Sequence, residues 1–296
     1  MPMEKQSTPH RKPSWLKRYL PNLEGISKVE SIISAFNLHT VCQSARCPNK
    51  EECFSKGTAT FLIMGDICTR NCAFCAVNSG HPLPLDKDEP FKIAEVAKKL
   101  RLKHVVITSV TRDDLSDGGT GHFVKIIEEV RRQLPEVTIE TLIPDFGGDT
   151  KLIEKVCKAR PDVLNHNLET ISRLYSTVRP KADYKRSLRL IKIASKYKVL
   201  TKSGIMVGLG ETLQETKELM KDLVIFGCKI LTIGQYLQPI KDNLKVNKYY
   251  TPGEFDKLSK IGKEIGLEKV FSTPFTRSSY KAEEVTSERL KVSCKM

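Results

Sequence analysis

Three cysteines stand in the run Cys68-Thr69-Arg70-Asn71-Cys72-Ala73-Phe74-Cys75, separated by three residues and then by two. That spacing lets one tight loop aim three thiolates at the corners of a single cluster. A cubane 4Fe-4S unit is usually held by Cys thiolates, one to each iron, so three closely spaced cysteines leave the fourth iron open to a ligand. A structural zinc knot is the competing reading, because its thiolates also come in short spacings. Closed zinc sites need four ligands, commonly from two Cys-x-x-Cys pairs. This run has one such pair plus a cysteine four residues upstream, which favours the cluster.

A second triple precedes it: Cys42, Cys47 and Cys53, spaced by four and then five residues. The two triples could share metals or build one binuclear zinc site. Each has its own regular spacing, however, and neither has a histidine pair nearby to complete a zinc shell. His39 and His81 are single. Two separate clusters are the expected arrangement.

The Cys-x3-Cys-x2-Cys run, with Phe74 before its last cysteine, resembles the signature of the radical S-adenosylmethionine (SAM) enzymes, in which the methionine amine and carboxylate of the cofactor chelate the open iron. Paired with Cys-x4-Cys-x5-Cys, it resembles the lipoyl synthase family. The likeness continues through 108–119, 142–146, 165–170, 201–212 and Arg277-Ser278-Ser279-Tyr280, and covers about residues 14–282.

The resemblance implies two 4Fe-4S clusters. One is carried by Cys68, Cys72 and Cys75, which with Ser279 are the expected catalytic residues. The auxiliary cluster is carried by Cys42, Cys47 and Cys53, with Ser279, the serine adjoining the tyrosine, as fourth ligand. A hard alkoxide is a poorer partner than thiolate for iron in a sulfide cluster, so its iron could leave. The implied reaction reduces SAM to methionine and a 5′-deoxyadenosyl radical, which takes hydrogen from an octanoyl chain at C6 and then C8. Sulfide of the auxiliary cluster fills both positions, at a cost of two SAM per product. Implied SAM contacts are Asn165, Asn167, Glu169 and Arg179, with the Gly118-Gly119 turn. Implied partners are octanoylated carrier domains (2-oxoacid dehydrogenase E2 subunits and the glycine cleavage H protein), a ferredoxin or flavodoxin as reductant, and an iron-sulfur carrier that rebuilds the cluster.

The residues themselves outline the elements that must position this chemistry. Short apolar or β-branched runs at 59–65, 104–110, 137–143, 162–167, 199–207 and 229–234 are strand candidates, and helical patterns occupy 93–102, 123–134, 151–157, 184–197 and 213–226. Such alternation implies a parallel sheet with right-handed crossovers. Six units fall short of the eight of a closed barrel, and the resemblance implies the partial (βα)6, TIM-like barrel of the radical enzymes. The cysteine loop then follows strand one, at the carboxyl end where such folds place their chemistry. On strand four, a period of two puts Asn165, Asn167 and Glu169 on one side if the extended conformation persists. Gly208-Leu209-Gly210 lacks the third glycine of a dinucleotide fingerprint, and Thr212 starts a helix. Cys157 and Cys228 read as small buried hydrophobes.

Expected boundaries are an extension over 1–57 with the auxiliary cysteines, a barrel over 58–250, and a tail over 251–296 with a helix at 254–265 and the Arg-Ser-Ser-Tyr motif. The first 35 or so residues, with Trp15, Leu16 and Leu20, read as an arm that docks on the body. Nine cysteines among 296 residues, clustered and odd in number, suit a reducing compartment, and no apolar run approaches a membrane span. A cytoplasmic monomer is expected, without membrane or nucleic-acid partners. The net charge of +14 suggests an acidic partner or an anionic cofactor. Lys185, Arg189, Lys192 and Lys196 share one helical face, which reads as the solvated side of a packed helix.

Three rival readings use the same residues, the first from the same radical superfamily. A methylthiotransferase would share the first cluster but is expected to space its auxiliary cysteines differently. A zinc-stabilised nucleic-acid-binding module would use the cysteines and the charge, and would leave the strand-helix repeat without a purpose. A scaffold that holds a cluster without catalysis is the third alternative. One departure from the family stands at Ile240-Lys241-Asp242-Asn243-Leu244, where a more basic stretch with a histidine is usual.

Overall fold

The computed structural model describes residues 12–16, 23–280 and 282–284. Leu20, placed by the sequence in the arm, and Cys294, placed in a charged tail, lie outside the described residues. The apolar runs form strands that pair in the order in which the chain makes them. These are β1 (Thr60–Ile63), β2 (His104–Ser109), β3 (Thr138–Leu142), β4 (Val163–Asn165), β5 (Leu200–Val207) and β6 (Ile230–Gln235), each parallel to the next. A seventh parallel strand, β7 (Lys269–Ser272), joins β6. A two-residue antiparallel strand, His39–Thr40, pairs with β1 at the other edge. The sheet is therefore an open, mostly parallel barrel wall whose two edges come from the segments that flank it.

A helix follows each of the first six strands: α1 (Glu89–Lys99), α2 (Thr120–Gln133), α3 (Thr150–Lys158), α4 (Tyr184–Ala194), α5 (Leu213–Ile225) and α6 (Pro252–Ile265). Each lays an apolar stripe on the sheet. In α4, Leu188, Ile191 and Ala194 are buried while Lys185, Arg189 and Lys192 face solvent, as does Lys196 just beyond. Thr212 and Thr251 begin α5 and α6 with reciprocal side-chain and backbone bonds to Glu215 and Glu254, which satisfy otherwise orphaned N–H groups. Cys157 and Cys228 are buried among apolar neighbours. The arm docks where Trp15 donates to the Tyr250 carbonyl at 3.2 Å and Leu16 is buried.

Strand seven was not visible in the pattern because Lys269-Val270-Phe271-Ser272 is four residues long and lies in a polar tail with no helix of its own. Strand four is shorter than its apolar pattern, ending at Asn165, and this matters for the site.

Inside the barrel the Lys202 ammonium lies 2.9 and 3.0 Å from the two Glu140 oxygens, with both side chains almost wholly buried. Asn165 Nδ2 donates to the same carboxylate at 3.1 Å. Burial opposes the charge of Glu140, but Lys202 and His104 outweigh it and hold the carboxyl below its ordinary pKa. Removing one member leaves the other charged and dry. Lys202→Met is expected to cost about 3–5 kcal/mol of stability, and the double change with Glu140→Gln considerably less. Urea denaturation of the three proteins checks this, and equal losses for the single and double variants would contradict it.

Candidate active site

The chain leaves β1 through Met64 and Gly65, both at positive φ, and enters the loop that carries Cys68, Cys72 and Cys75. Polar bonds to three other strand ends fasten this loop. Thr69 N and Oγ1 donate to the Thr111 carbonyl beyond β2, at 3.0 and 2.9 Å. Arg70 reaches Asp113 with two N–H groups at 2.7 and 2.8 Å, and Asp145, beyond β3, at 2.8 Å. Burial works against the Arg70 charge, but the two carboxylates more than offset it, so the guanidinium stays ionised. Asn243 Nδ2 donates to the carbonyls of Ala73 and Cys75 at 3.0 and 3.1 Å, and Leu244 N to Ala73 at 3.1 Å. The stretch that departs from the family is thus the lid of the cysteine loop.

Backbone amides already point at the sulfurs. Thr111 N and Arg70 N lie 3.3 and 3.4 Å from Cys68 Sγ, and Val77 N lies 3.4 Å from Cys75 Sγ. Burial pushes the Cys75 thiol up to about 12, and the neighbouring cysteines add to it. Cys72 is also raised by burial, with Arg179 pulling the other way.

The second triple sits on two short helices, Val41–Ser44 and Lys50–Ser55, with Cys47 in the turn between them. Asn49 Nδ2 donates to the Phe275 carbonyl at 2.8 Å, and Tyr280 Oη donates to Glu52 at 2.9 Å. These bonds hold the segment carrying Ser279 against the triple. Burial, and then the neighbouring thiols, push Cys42 up to about 11 and Cys53 up to about 12.

All six cysteines and Ser279 line one cavity of about 590 Å³ at the carboxyl ends of the strands. Among the described residues no three His, Cys, Asp or Glu side chains are arranged to hold a single metal ion. Between the triples lie Asn167, Glu169 and Arg179. Asn167 Nδ2 donates to Glu169 at 3.0 Å and to Ser278 Oγ at 2.6 Å, and Arg179 donates to the Asn167 carbonyl at 2.8 Å. Asn167 Oδ1 and Arg179 Nε are buried without a hydrogen-bond partner, one acceptor and one donor facing the same space. A Cβ on Gly204 would stand 2.7 Å from Asn167 Oδ1 and 2.8 Å from Ser278 Oγ, so glycine keeps that cradle open. Burial raises the Glu169 pKa against the pull of Arg179 and Asn167. The donor set fits both clusters and a zwitterionic cofactor.

Three expected contacts are placed elsewhere. Asn165 keeps the interior side of the barrel, in register with Leu142 and Lys202, but stands below the cavity, where it meets the Glu140–Lys202 pair. Glu169 reaches the cavity through a positive φ of 65° instead. Gly118 and Gly119 also miss the cavity. They form the left-handed turn into α2, where added Cβ atoms would strike Phe146 and the Met64 sulfur. Sequence reasoning missed Arg70, Asn49 and Asn243, whose roles depend on partners far along the chain.

Residues 62–223 match the Radical SAM superfamily. The lipoyl synthase of Caldanaerobacter subterraneus subsp. tengcongensis is 54% identical over 92% of this chain and 96% of its own length. That of Caldicellulosiruptor saccharolyticus is 53% identical over 93% and 98%. Among solved structures, methylornithine synthase superposes with a TM-score of 0.54 at 12% identity, covering 91% of this chain and 95% of that one. Streptococcus suis SuiB bound to its precursor peptide gives 0.56 at 12% identity, over 89% and 57%. These two share the fold.

The raised thiol pKa values set a pH dependence. Without metal the raised thiols of Cys42, Cys53 and Cys75 are neutral at pH 7, whereas ligation needs thiolate. Loading with iron and sulfide is therefore expected to release protons and to quicken as the pH rises from 7 toward 9. A pH indicator in weakly buffered solution checks this, and loading without acidification would contradict it.

Proposed function

Because this chain belongs to the lipoyl synthase family of the radical SAM superfamily, we propose that it inserts two sulfur atoms, at C6 and C8, into an octanoyl chain that is carried on the lysine of a carrier domain and enters the cavity at the carboxyl ends of the strands. The convergence of both cysteine triples and Ser279 on that cavity carries the reading. The two relatives named above, about half identical over more than nine-tenths of the chain, are lipoyl synthases, so the methylthiotransferase and zinc-module readings are not favoured.

Cys68, Cys72 and Cys75 would hold the cluster that binds SAM, and Cys42, Cys47 and Cys53 with Ser279 the auxiliary one. When bound, these groups supply the electron, the hydrogen-abstracting radical and the sulfur, with two SAM consumed per product. The protein's part is to bind, orient and keep out water. Asn167 Oδ1, Glu169 and Arg179 offer an acceptor, a carboxylate and a cation suited to the methionine end of SAM. Val110, Ile143, Ile205 and Leu237 give the cavity apolar wall on which an alkyl chain can lie. Arg70 and Asn243 keep the cysteine loop from shifting as substrate enters, and a misplacement of about 1 Å can cost two orders of magnitude in rate.

The donors of electrons and of new clusters would be a ferredoxin or flavodoxin and an iron-sulfur carrier. The acceptors would be E2 subunits and the glycine cleavage H protein. Among the described residues no helix is long and apolar enough to cross a membrane.

An octanoyl-lysine peptide, incubated anaerobically with reductant and SAM, tests the assignment of the two triples. Cys72→Ala is expected to abolish both 5′-deoxyadenosine and lipoyl peptide. Cys53→Ala is expected to retain 5′-deoxyadenosine and lose the lipoyl product. Lipoyl formation by Cys53→Ala would overturn the sulfur-donor role of the second triple.

A further inference from the structure

Two acceptors hold the Asn167 carboxamide, and one of them comes from far along the chain. Its Nδ2 donates to Glu169 at 3.0 Å and to the Ser278 hydroxyl, 111 residues away, at 2.6 Å. A carboxamide nitrogen has two protons, so both are engaged. A turned-over amide would set its oxygen against the Glu169 carboxylate. Ser278 and Glu169 together therefore fix which end of the amide is left over, and it is the acceptor Oδ1, buried without a partner.

Ser278 adjoins Ser279, and both line the large cavity. Their segment is also fastened to the second triple. Asn49, at the start of the helix that bears Cys53, donates to the Phe275 carbonyl at 2.8 Å. Tyr280 Oη donates to Glu52 of the same helix at 2.9 Å. One short stretch thus touches the auxiliary cysteine segment with its ends and Asn167 with its middle.

We propose that Ser278 is a positioning residue that makes SAM binding depend on the state of the auxiliary site. The inference rests on the proposed function, in which Asn167 contacts SAM and Ser279 is a ligand of the auxiliary cluster. With Ser279 on iron the segment is fixed, and Ser278 presents the carboxamide with its oxygen free for the cofactor. When Ser279 is released the segment gains freedom. Fixing it again costs conformational entropy, which SAM binding must then offset. Linkage makes the effect reciprocal, so bound SAM favours the ligated arrangement of Ser279.

The test uses the full chain loaded with iron and sulfide, without reductant so that SAM is not consumed. SAM affinity is measured by anaerobic equilibrium dialysis. Ser278 is half-buried and loses a single oxygen in Ser278→Ala. That variant is expected to bind SAM about fivefold more weakly, as the loss of one hydrogen bond implies. In an Asn167→Ala background the same change is expected to have no effect. Emptying the auxiliary site with Cys42→Ala, Cys47→Ala and Cys53→Ala is expected to weaken SAM severalfold when Ser278 is present, and to add nothing in Ser278→Ala. About four irons left in the emptied proteins verify that the first cluster is intact. An unchanged affinity in Ser278→Ala would overturn the proposal. So would equal effects of that change with and without Asn167, or of emptying with and without Ser278. If the loaded wild type binds no SAM, the proposed function itself falls, and the coupling with it.

Discussion

Thiols crowded side by side and largely withdrawn from solvent cannot all ionise unless something positive replaces the water they have lost. Both triples stand under this constraint. Burial and mutual repulsion hold Cys42, Cys53 and Cys75 well above the ordinary thiol value, so thiolate at these positions needs positive charge beside it. The amides aimed at Cys68 and Cys75 supply part of the compensation, and Arg179 supplies more beside Cys72.

Holding such loops without metal falls to the polar clamps. Arg70 ties the first triple to the ends of β2 and β3 through charged, largely buried bonds, and Asn243 covers it from beyond β6. Asn49 and Tyr280 tie the second triple to the chain's other end. The two triples thereby share one cavity although they belong to different layers of the fold. The open barrel has the same logic: its edges are occupied by the segments that flank the second cysteine triple and Ser279.

Spacing alone made the six cysteines legible, because cluster ligands close together in sequence need little help from the fold. The strand-helix alternation gave the barrel for a similar reason, each unit being a local pattern. Ser279 was reached through family resemblance, since Arg-Ser-Ser-Tyr carries no chemistry by itself. Asn165 keeps the side that periodicity gives it but stands a layer below the cavity, a depth that periodicity does not encode, and a positive φ at Glu169 resets the direction of the chain. The glycines at 118 and 119 looked like ligand contacts and proved to be a turn packed on Met64 and Phe146. Asn49 stayed unread because its partner is 226 residues away, and no local pattern encodes such a pair.

The central claim is that the two triples hold two independent clusters around one cavity. Iron, sulfide and zinc content, measured anaerobically with the visible spectrum, tests it most directly in the wild type and in the Cys68→Ala, Cys72→Ala, Cys75→Ala variant. The account predicts about eight irons and as many sulfides, falling to about four of each in the variant. Zinc without sulfide, or a single cluster lost entirely in the variant, would contradict it.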